Sequence, residues 1–329
     1  MKRSAPEVLV TLSRALQILE RQAPEVLVVE VVSEFYQGPS LLGHRASHPI
    51  PGFVQVKTED LETGPLWNLR SDAQLQQVLA RSGLVPGSHK QILLFDNIQL
   101  ACGTAQSRFD ASARLLSVLY YFGFSHAAII LDPGIQPSFP DESAARRPEA
   151  VRRLAARHLP AEAGRPQRGQ AVQERWVPVH PDYLVRYETM VQLLAGDLGP
   201  YRLLDSRSAE EYDGTFTGYD YIPLSGRIPT AENVVNGDYQ VSAREDLEAV
   251  LARLADALAR KGIGTKDRIV WYCGTGWRAS RMCALTRALG YTNVALYDGG
   301  WNEWHRHHPQ DGSQRPSGME AWNVPDDPG

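Results

Sequence analysis

Apolar and polar positions follow two patterns along the chain. Short runs of apolar and β-branched residues predict buried strands, over residues 26–32, 92–95, 128–131, 203–204, 268–272 and 294–297. Apolar residues at helical spacing predict amphipathic helices, over residues 5–21, 112–122, 244–260 and 278–289. Because strands alternate with helices, the pattern predicts an α/β fold with parallel sheets flanked by helices.

The second half of the sequence repeats the order of elements in the first half. When Gly290 is aligned with Gly123, the helices that precede them match without a gap. When the preceding strands are aligned instead, Cys273 falls on Asp96, and the first copy then has a loop ten residues longer. The sequence therefore contains two copies of one fold, of which only the second has a cysteine at this position.

Earlier segments of the two halves align as well. Residues 202–214 match residues 26–38, an alignment that places Val29 opposite Asp205. A further matching pair of segments is 226–234 and 48–56. Since the polar residues stand in the second copy, we expect the first copy to be structural and the second to carry the chemistry.

The repeat and the composition predict the domain organisation. A length of 329 residues suits two domains of ~150 residues each. Residues 141–175 are rich in Arg, Ala, Glu, Gly and Pro, a composition typical of linkers. The predicted parts are a domain without a catalytic cysteine, a linker, a catalytic domain and an irregular tail, over 1–140, 141–175, 176–310 and 311–329.

Charge and composition exclude several classes of partner. A formal net charge of −4 offers no electrostatic reason to bind nucleic acid. No apolar run approaches the ~20 residues of a membrane span, and the N-terminus lacks the apolar core of a signal peptide. We therefore expect a cytoplasmic location and no membrane partner. The sequence has no metal-type spacing of His or Cys and no nucleotide-binding glycine loop, which predicts that it uses no metal or cofactor.

Cys273 ends a predicted buried strand and opens a loop, Cys-Gly-Thr-Gly-Trp-Arg, that leads directly into a helix. Gly274 and Gly276 allow the backbone conformations in which successive N–H groups surround an anion. The positive end of the following helix points at the same place. Such surroundings favour a thiolate and would also hold a persulfide, so we predict that Cys273 is a nucleophile. Cys283, in mid-helix, and Cys102, in the long loop of the first copy, are predicted to have no chemical role.

Three further motifs resemble those of the rhodanese superfamily. Asp205-Ser206-Arg207 followed by Glu-Glu-Tyr, the Gly-Arg-Ile-Pro-Thr-Ala segment from Gly226, and the Asp-Gly-Gly-Trp segment from Asp298 are each similar to a family signature. With the cysteine loop in register, the resemblance covers residues 178–308 and, more weakly, 24–135. It implies two tandem rhodanese-like domains and a sulfurtransferase in which Cys273 takes a sulfane sulfur as a persulfide and passes it to a nucleophile.

The resemblance also implies roles for individual residues. Arg207 would brace the loop or help to hold an anionic donor, and Asp205 would have a structural ion-pair or hydrogen-bond role. The predicted catalytic residues are Cys273, Thr275 and Arg278. The predicted substrate-binding residues are Gly274, Gly276, Trp277, Arg207, Asp205, Tyr219, Tyr221 and Tyr272. The expected partners are a small sulfur donor, thiosulfate or polysulfide, and a small acceptor.

The loop sequence leaves the acceptor open. It matches neither the Cys-Arg-Lys-Gly-Val-Thr loop of thiosulfate-preferring members nor the Cys-Gly-Ser-Gly-Val-Thr loop of mercaptopyruvate-preferring ones. It resembles a bacterial subgroup that reads Cys-Gly-Thr-Gly-Trp-Arg, which includes a thiosulfate sulfurtransferase and a polysulfide-dependent ergothioneine synthase. An alternative is therefore C–S bond formation on the imidazole of histidine betaine, because aromatic side chains beside the loop can bind a trimethylammonium group.

Two other classes are less favoured. The related phosphatases have five residues between their Cys and Arg, whereas four separate Cys273 from Arg278, and the smaller ring suits one sulfur atom better than a phosphate. Cysteine-free copies of this fold serve as binding or regulatory modules, and the first copy fits that description. For the whole chain the cysteine, the glycines and the Asp205–Arg207 pair favour an enzyme.

Overall fold

The computed structural model describes residues 7–22, 25–33, 53–87, 91–96, 109–131, 175–241 and 247–313. Most of the predicted linker lies outside these residues, as do Cys102 and the tail from residue 314 onwards.

The first copy contains a parallel sheet with helices packed on it. Its strands are β1 (Leu9–Thr11), β2 (Val26–Val32), β3 (Val54–Lys57), a short antiparallel hairpin of β4 (Glu62–Thr63) and β5 (Asn68–Leu69), β6 (Gln91–Asp96) and β7 (Ala127–Leu131). Its helices are α1 (Leu12–Gln22), α2 (Asp72–Arg81) and α3 (Asp110–Tyr121). The five-stranded sheet has the order β1-β7-β6-β2-β3.

The second copy has the same kind of sheet. Its strands are β8 (Leu184–Val185), β9 (Arg202–Asp205), β10 (Ser225–Gly226), β11 (Glu232–Asn233), β12 (Ile269–Tyr272), β13 (Val294–Tyr297) and β14 (Gly312–Ser313). Its helices are α4 (Tyr187–Ala195), α5 (Ala209–Asp213), α6 (Leu247–Arg260), α7 (Trp277–Ala288) and α8 (Gly300–His307). The parallel sheet has the order β11-β9-β12-β13-β8, and β10 pairs with β14.

The strand orders of the two sheets correspond position by position, which confirms the predicted α/β repeat. Strand β6 pairs with β7 as Ile92 opposite Ala127, and β12 pairs with β13 as Ile269 opposite Val294. These registers keep the strand alignment that places Cys273 on Asp96. Both sheets are buried between helices, as their continuous apolar strands require.

The register corrects one part of the sequence alignment. Asp205 lies opposite Tyr272, while Glu30 lies opposite Phe95 at the equivalent place in the first copy. Asp205 therefore corresponds to Glu30, and the prediction that Val29 replaces it is wrong. A run of valines gives few landmarks for alignment, and a slip of one residue moves every side chain to the other face of the strand.

The predicted helix over residues 5–21 is also wrong at its beginning. Residues Leu9–Thr11 form the edge strand β1, in which Leu9 pairs with Ile129 of β7. The consecutive apolar residues there suit a strand because they cover the exposed edge of β7 on both faces, and α1 begins only at Leu12.

The two copies pack together through α3 and α7, in one continuous core that includes Cys273. The first residue after the predicted linker also contacts the first copy, since Trp176 lies edge-on to Phe122. Beyond residue 310, β14 pairs with β10 of the second copy. Among the described residues, no helix has the length and apolar character needed to cross a membrane.

Candidate active site

Cys273 follows the last residue of β12 and is fully buried. The loop after it is held by the start of α8, where the Trp301 N–H donates to the Cys273 carbonyl at 2.8 Å and the Asn302 N–H to the Gly274 carbonyl at 2.9 Å. Gly276 has a left-handed φ of 83° and is the residue before α7. The cysteine therefore stands at the N-terminal end of α7 on a loop whose first two carbonyl groups are already bonded elsewhere.

The first copy shows what this position can bind. The Asp96 carboxyl, at the place of Cys273, accepts hydrogen bonds from the backbone N–H of Ala111 at 3.2 Å and of Ser112 at 2.6 Å, in the first turn of α3. Burial raises the pKa of Asp96 to about 8, while these N–H groups lower it and so favour the ionised form. The strand end and helix start of this fold therefore offer two backbone N–H donors to an acceptor side chain.

Arg278 forms a partly buried ion pair at the end of the loop. Its Nη1 and Nη2 each donate to one oxygen of Glu211 at 2.7 Å, a bidentate geometry. Burial would raise the pKa of Glu211, but the hydrogen bonds and charge of Arg278 bring it below its usual range. The Arg278 guanidinium also lies 5.2 Å from the ring centre of Tyr219. Because its charge is balanced by Glu211, Arg278 can orient the loop without leaving a bare cation beside the thiol.

Tyr219 and Tyr221 lie against the loop, as predicted. A methyl group at Gly274 would overlap the Tyr219 ring, so the absence of a side chain at this position allows the ring to cover the backbone. Burial raises the pKa of Tyr219 to about 12, and its phenol is neutral at pH 7. Tyr221 lies 5.2 Å from Tyr219, centre to centre, and burial raises the pKa of Tyr221, while Thr275 lies near enough to lower it. An aromatic wall therefore stands beside the cysteine loop.

Asp205, Arg207 and Tyr272 form a buried group at the carboxyl ends of β9 and β12. Arg207 is fully buried, donates to Asp205 at 2.6 Å and to the Gly226 carbonyl at 2.6 Å, and lies between aromatic rings. The Tyr272 hydroxyl accepts from a backbone N–H at 3.2 Å. This geometry suits a structural ion pair within the core. Contact of these three residues with substrate stays a prediction.

Trp277 reaches the first copy. Its indole N–H donates to Oε2 of Glu62, in β4, at 3.0 Å. The structure thus adds Glu62 and Glu211 to the neighbourhood of the loop, and neither was predicted as a site residue. Glu211 belongs to the first motif, and its acidic character four residues after Arg207 was the available signal. Nothing in the sequence points to Glu62, because 215 positions separate it from Trp277.

Cys283 lies within α7, fully buried, with its sulfur 3.5 Å from the Ala295 carbonyl. Burial raises the pKa of its thiol, which makes it a poor nucleophile. Among the described residues, no group of three or more His, Cys, Asp or Glu side chains is arranged to hold a metal ion.

Comparison with known proteins assigns this region. Residues 190–307 match the family described as Rhodanese-like domain. The second copy is a rhodanese-like domain. The chain is 28% identical over 320 residues to thiosulfate sulfurtransferase YnjE of Escherichia coli (strain K12), an alignment that covers 91% of this chain and 62% of YnjE. The chain thus spans less than two thirds of the length of that relative.

Solved structures show the same fold over both copies. The crystal structure of YnjE has a TM-score of 0.63 against this chain with 25% identity, over 96% of this chain and 70% of that one. The anaerobic ergothioneine biosynthesis enzyme from Chlorobium limicola, in complex with trimethyl histidine, has a TM-score of 0.66 with 23% identity, over 93% of this chain and 70% of that one. The rhodanese-like second copy thus occurs here within a larger shared architecture.

Proposed function

We propose that the protein is a sulfurtransferase in which Cys273 carries sulfur as a persulfide. The Cys273 thiolate would attack the outer sulfur of thiosulfate or polysulfide and release sulfite or a shorter polysulfide. An acceptor nucleophile would then attack the persulfide and return the thiolate. The proposed partners are small molecules in the cytoplasm, with no nucleic acid and no membrane.

The observation that carries this proposal is the pair of equivalent helix starts. In the first copy a carboxyl group occupies the position and receives two backbone N–H groups. In the second copy a cysteine occupies it, on a loop shortened by ten residues. A thiolate or persulfide there would receive the same stabilisation from the start of α7. The relationship to YnjE supports the choice of thiosulfate as a donor.

The mass of the intact protein tests the proposal. Wild type and Cys273→Ser would be treated separately with thiosulfate, polysulfide and mercaptopyruvate. We expect one added sulfur atom on wild type with at least one of the first two donors, and none on the variant. The proposal is overturned if no donor adds sulfur to wild type, or if Cys273→Ser acquires the same adduct.

A second candidate is transfer of the sulfur to an imidazole carbon of histidine betaine. The aromatic wall of Tyr219 and Tyr221 favours it, since such rings bind a trimethylammonium group, and Thr275 lies beside Tyr221. The fold shared with the Chlorobium limicola enzyme is consistent with this acceptor. The test incubates the protein with polysulfide and histidine betaine and follows the thiolated product by mass spectrometry.

The two candidates differ in how they depend on the aromatic wall. For an imidazole acceptor we expect Tyr219→Ala to raise the KM for histidine betaine about tenfold while it leaves persulfide formation unchanged. If wild type forms the persulfide but gives no product from histidine betaine, the acceptor is of another class, such as cyanide or a thiol.

A further inference from the structure

Glu62 is a buried carboxylate of the first copy that contacts the cysteine loop of the second. It is 3% exposed and lies at the start of the hairpin 62–69. One oxygen accepts from Nε of Arg114 at 2.6 Å, and the other accepts from the indole N–H of Trp277 at 3.0 Å. Each carboxylate oxygen therefore accepts from a different donor, Arg114 in the first copy and Trp277 in the second.

Arg114 holds this carboxylate and also limits the movement of the loop. It is fully buried, and its Nη2 donates to the Trp67 carbonyl at 3.1 Å, at the tip of the same hairpin. Its guanidinium lies so close to Gly276 that a methyl group there would overlap it. If the start of α7 moved away, Glu62 would lose a hydrogen bond in a place that water does not reach, which is costly for a buried charge.

The same hairpin supports the other end of the loop through the start of α8. The Leu69 N–H donates to Asp298 at 2.7 Å, and the Asn302 side chain donates to the Leu66 carbonyl at 3.1 Å. The backbone of Asn302 in turn donates to the Gly274 carbonyl at 2.9 Å. The hairpin thus contacts Trp277 directly and Gly274 through one intermediate residue.

We propose that Glu62 is a positioning residue for sulfur transfer: by fixing Trp277 it sets the orientation of the loop and of the first turn of α7 around the Cys273 sulfur. The first copy, which has no reactive cysteine at the equivalent position, thereby contributes to the reaction as well as to the fold. The proposal rests on the persulfide function proposed above.

The test compares single and double variants of the two bonded residues. Trp277→Phe keeps an aromatic ring and removes the donor, and Glu62→Ala removes the acceptor. The matched control is Asp110→Asn, which alters another buried carboxylate of the first copy whose partner, Arg281, lies in α7 at 3.3 Å but outside the loop. All variants would be assayed for the rate of persulfide formation, for kcat and KM, and for thermal unfolding.

We expect Glu62→Ala and Trp277→Phe each to lower the rate of persulfide formation by about tenfold, with KM for the donor within about twofold of wild type. The double variant should be no slower than the slower single variant, because both changes remove the same hydrogen bond between Trp277 and Glu62. Glu62→Gln, which can accept from only one of the two donors through its amide oxygen, should lie between Glu62→Ala and wild type. Asp110→Asn should destabilise the protein to a similar degree and keep the wild-type rate.

Two results would overturn the inference while leaving the persulfide function intact. One is a wild-type rate in Glu62→Ala, and the other is an equal loss of rate in Asp110→Asn at the same loss of stability. If wild type itself acquires no sulfur from any donor, the function proposed for Cys273 fails instead. Intact mass of wild type in the same series separates these outcomes.

Discussion

The beginnings of α3 and α7 are the same place in two copies of one fold, and they hold different groups. At α3 the Asp96 carboxyl accepts two backbone N–H groups. At α7 the equivalent residue is Cys273, fully buried, and the helix begins four residues later at Trp277. The difference teaches that backbone N–H donors at this helix start belong to the fold, whereas the side chain placed there and the length of the loop before the helix differ between the copies.

The residues around the two positions also differ, since charged and aromatic side chains lie beside Cys273. The loop beside Cys273 has a bidentate ion pair, Arg278 with Glu211, and an aromatic wall. In the first copy, Ala111 stands where the helix alignment puts Arg278. The second copy thus has charged and aromatic groups next to its cysteine loop.

The largest expected effect comes from converting the second site into the first. In Cys273→Asp the new carboxyl would accept N–H groups at the start of α7, as Asp96 does in α3, and the protein should fold. Sulfur transfer should fall by at least about a thousandfold, because a carboxylate forms no persulfide. Steady-state assays and circular dichroism check the two halves of this prediction. Cys283→Ala, which removes a thiol outside the loop, should keep activity; sulfur transfer retained by Cys273→Asp would contradict the comparison.

A smaller loss is expected from Arg278→Lys. Lysine keeps the positive charge but cannot make the bidentate pair with Glu211 or stack in the same way on Tyr219. We expect kcat/KM to fall by about ten- to a hundredfold. Arg202→Lys, at a half-exposed pair with Glu232, is the control and should change kcat/KM by less than about twofold. Equal effects of the two changes would show that the loop does not need this pair.

The pH dependence of stability tests the junction between the copies. Burial raises the pKa of Glu62 from 4.5 to about 7, against the opposing effect of Arg114. Between these values the folded protein binds more protons than the unfolded chain, so this contribution to stability is complete below about pH 4.5 and is lost as pH rises through about 7. Denaturant unfolding of wild type and Glu62→Gln from pH 5 to pH 8 should show a shallower decline for the variant. If the stability of wild type and of Glu62→Gln declined equally with pH, Glu62 would not be the source of this pH dependence.

Asp96→Ala removes the carboxyl that caps α3. We expect a loss of about 0.5–2 kcal/mol in the free energy of unfolding, as for other capping residues. Ser71→Ala, which removes the capping box of α2 in the same copy, is the matched variant. Both should keep the wild-type rate of persulfide formation at 25 °C, since neither residue touches the cysteine loop. A tenfold loss in the rate of persulfide formation in Asp96→Ala, but not in Ser71→Ala, would mean that Asp96 takes part in catalysis.

The smallest effect is expected at Thr230. This residue has a left-handed φ of 67°, at a position where the family pattern and the aligned Gly52 of the first copy have glycine. Thr230→Gly should therefore stabilise the protein by about 1 kcal/mol in chemical denaturation. At Thr265, which is not among the residues with positive φ, the same change should destabilise the protein instead.

The sequence was sufficient to predict the fold because its strands are unusually clear. The repeat placed Cys273 on Asp96 correctly, as the strand registers show, whereas the active site indicated by the loop glycines stays a prediction. The errors fell where the pattern is ambiguous: the valines of β2, where Glu30 and not Val29 corresponds to Asp205, and residues 9–11, where apolar residues suit a helix or a strand equally well.

The partners of the site residues were harder to predict. Glu62 and Trp277 meet because two copies pack face to face, and no local pattern encodes a contact across 215 positions. Glu211 stands in a recognised motif, yet its bidentate pairing with Arg278 depends on the path of the chain between α5 and Tyr219. Packing between distant segments decides such contacts, and a single sequence carries no direct signal for it.

The most direct test of the difference between the two sites is the mass of the intact protein after exposure to thiosulfate or polysulfide, followed by peptide mapping. Wild type should gain one sulfur atom, located on Cys273, and Asp96→Ala should gain the same one. Cys273→Asp should gain none. A wild type that takes up no sulfur, or a Cys273→Asp protein that takes up one, would contradict the assignment of sulfur transfer to the second copy.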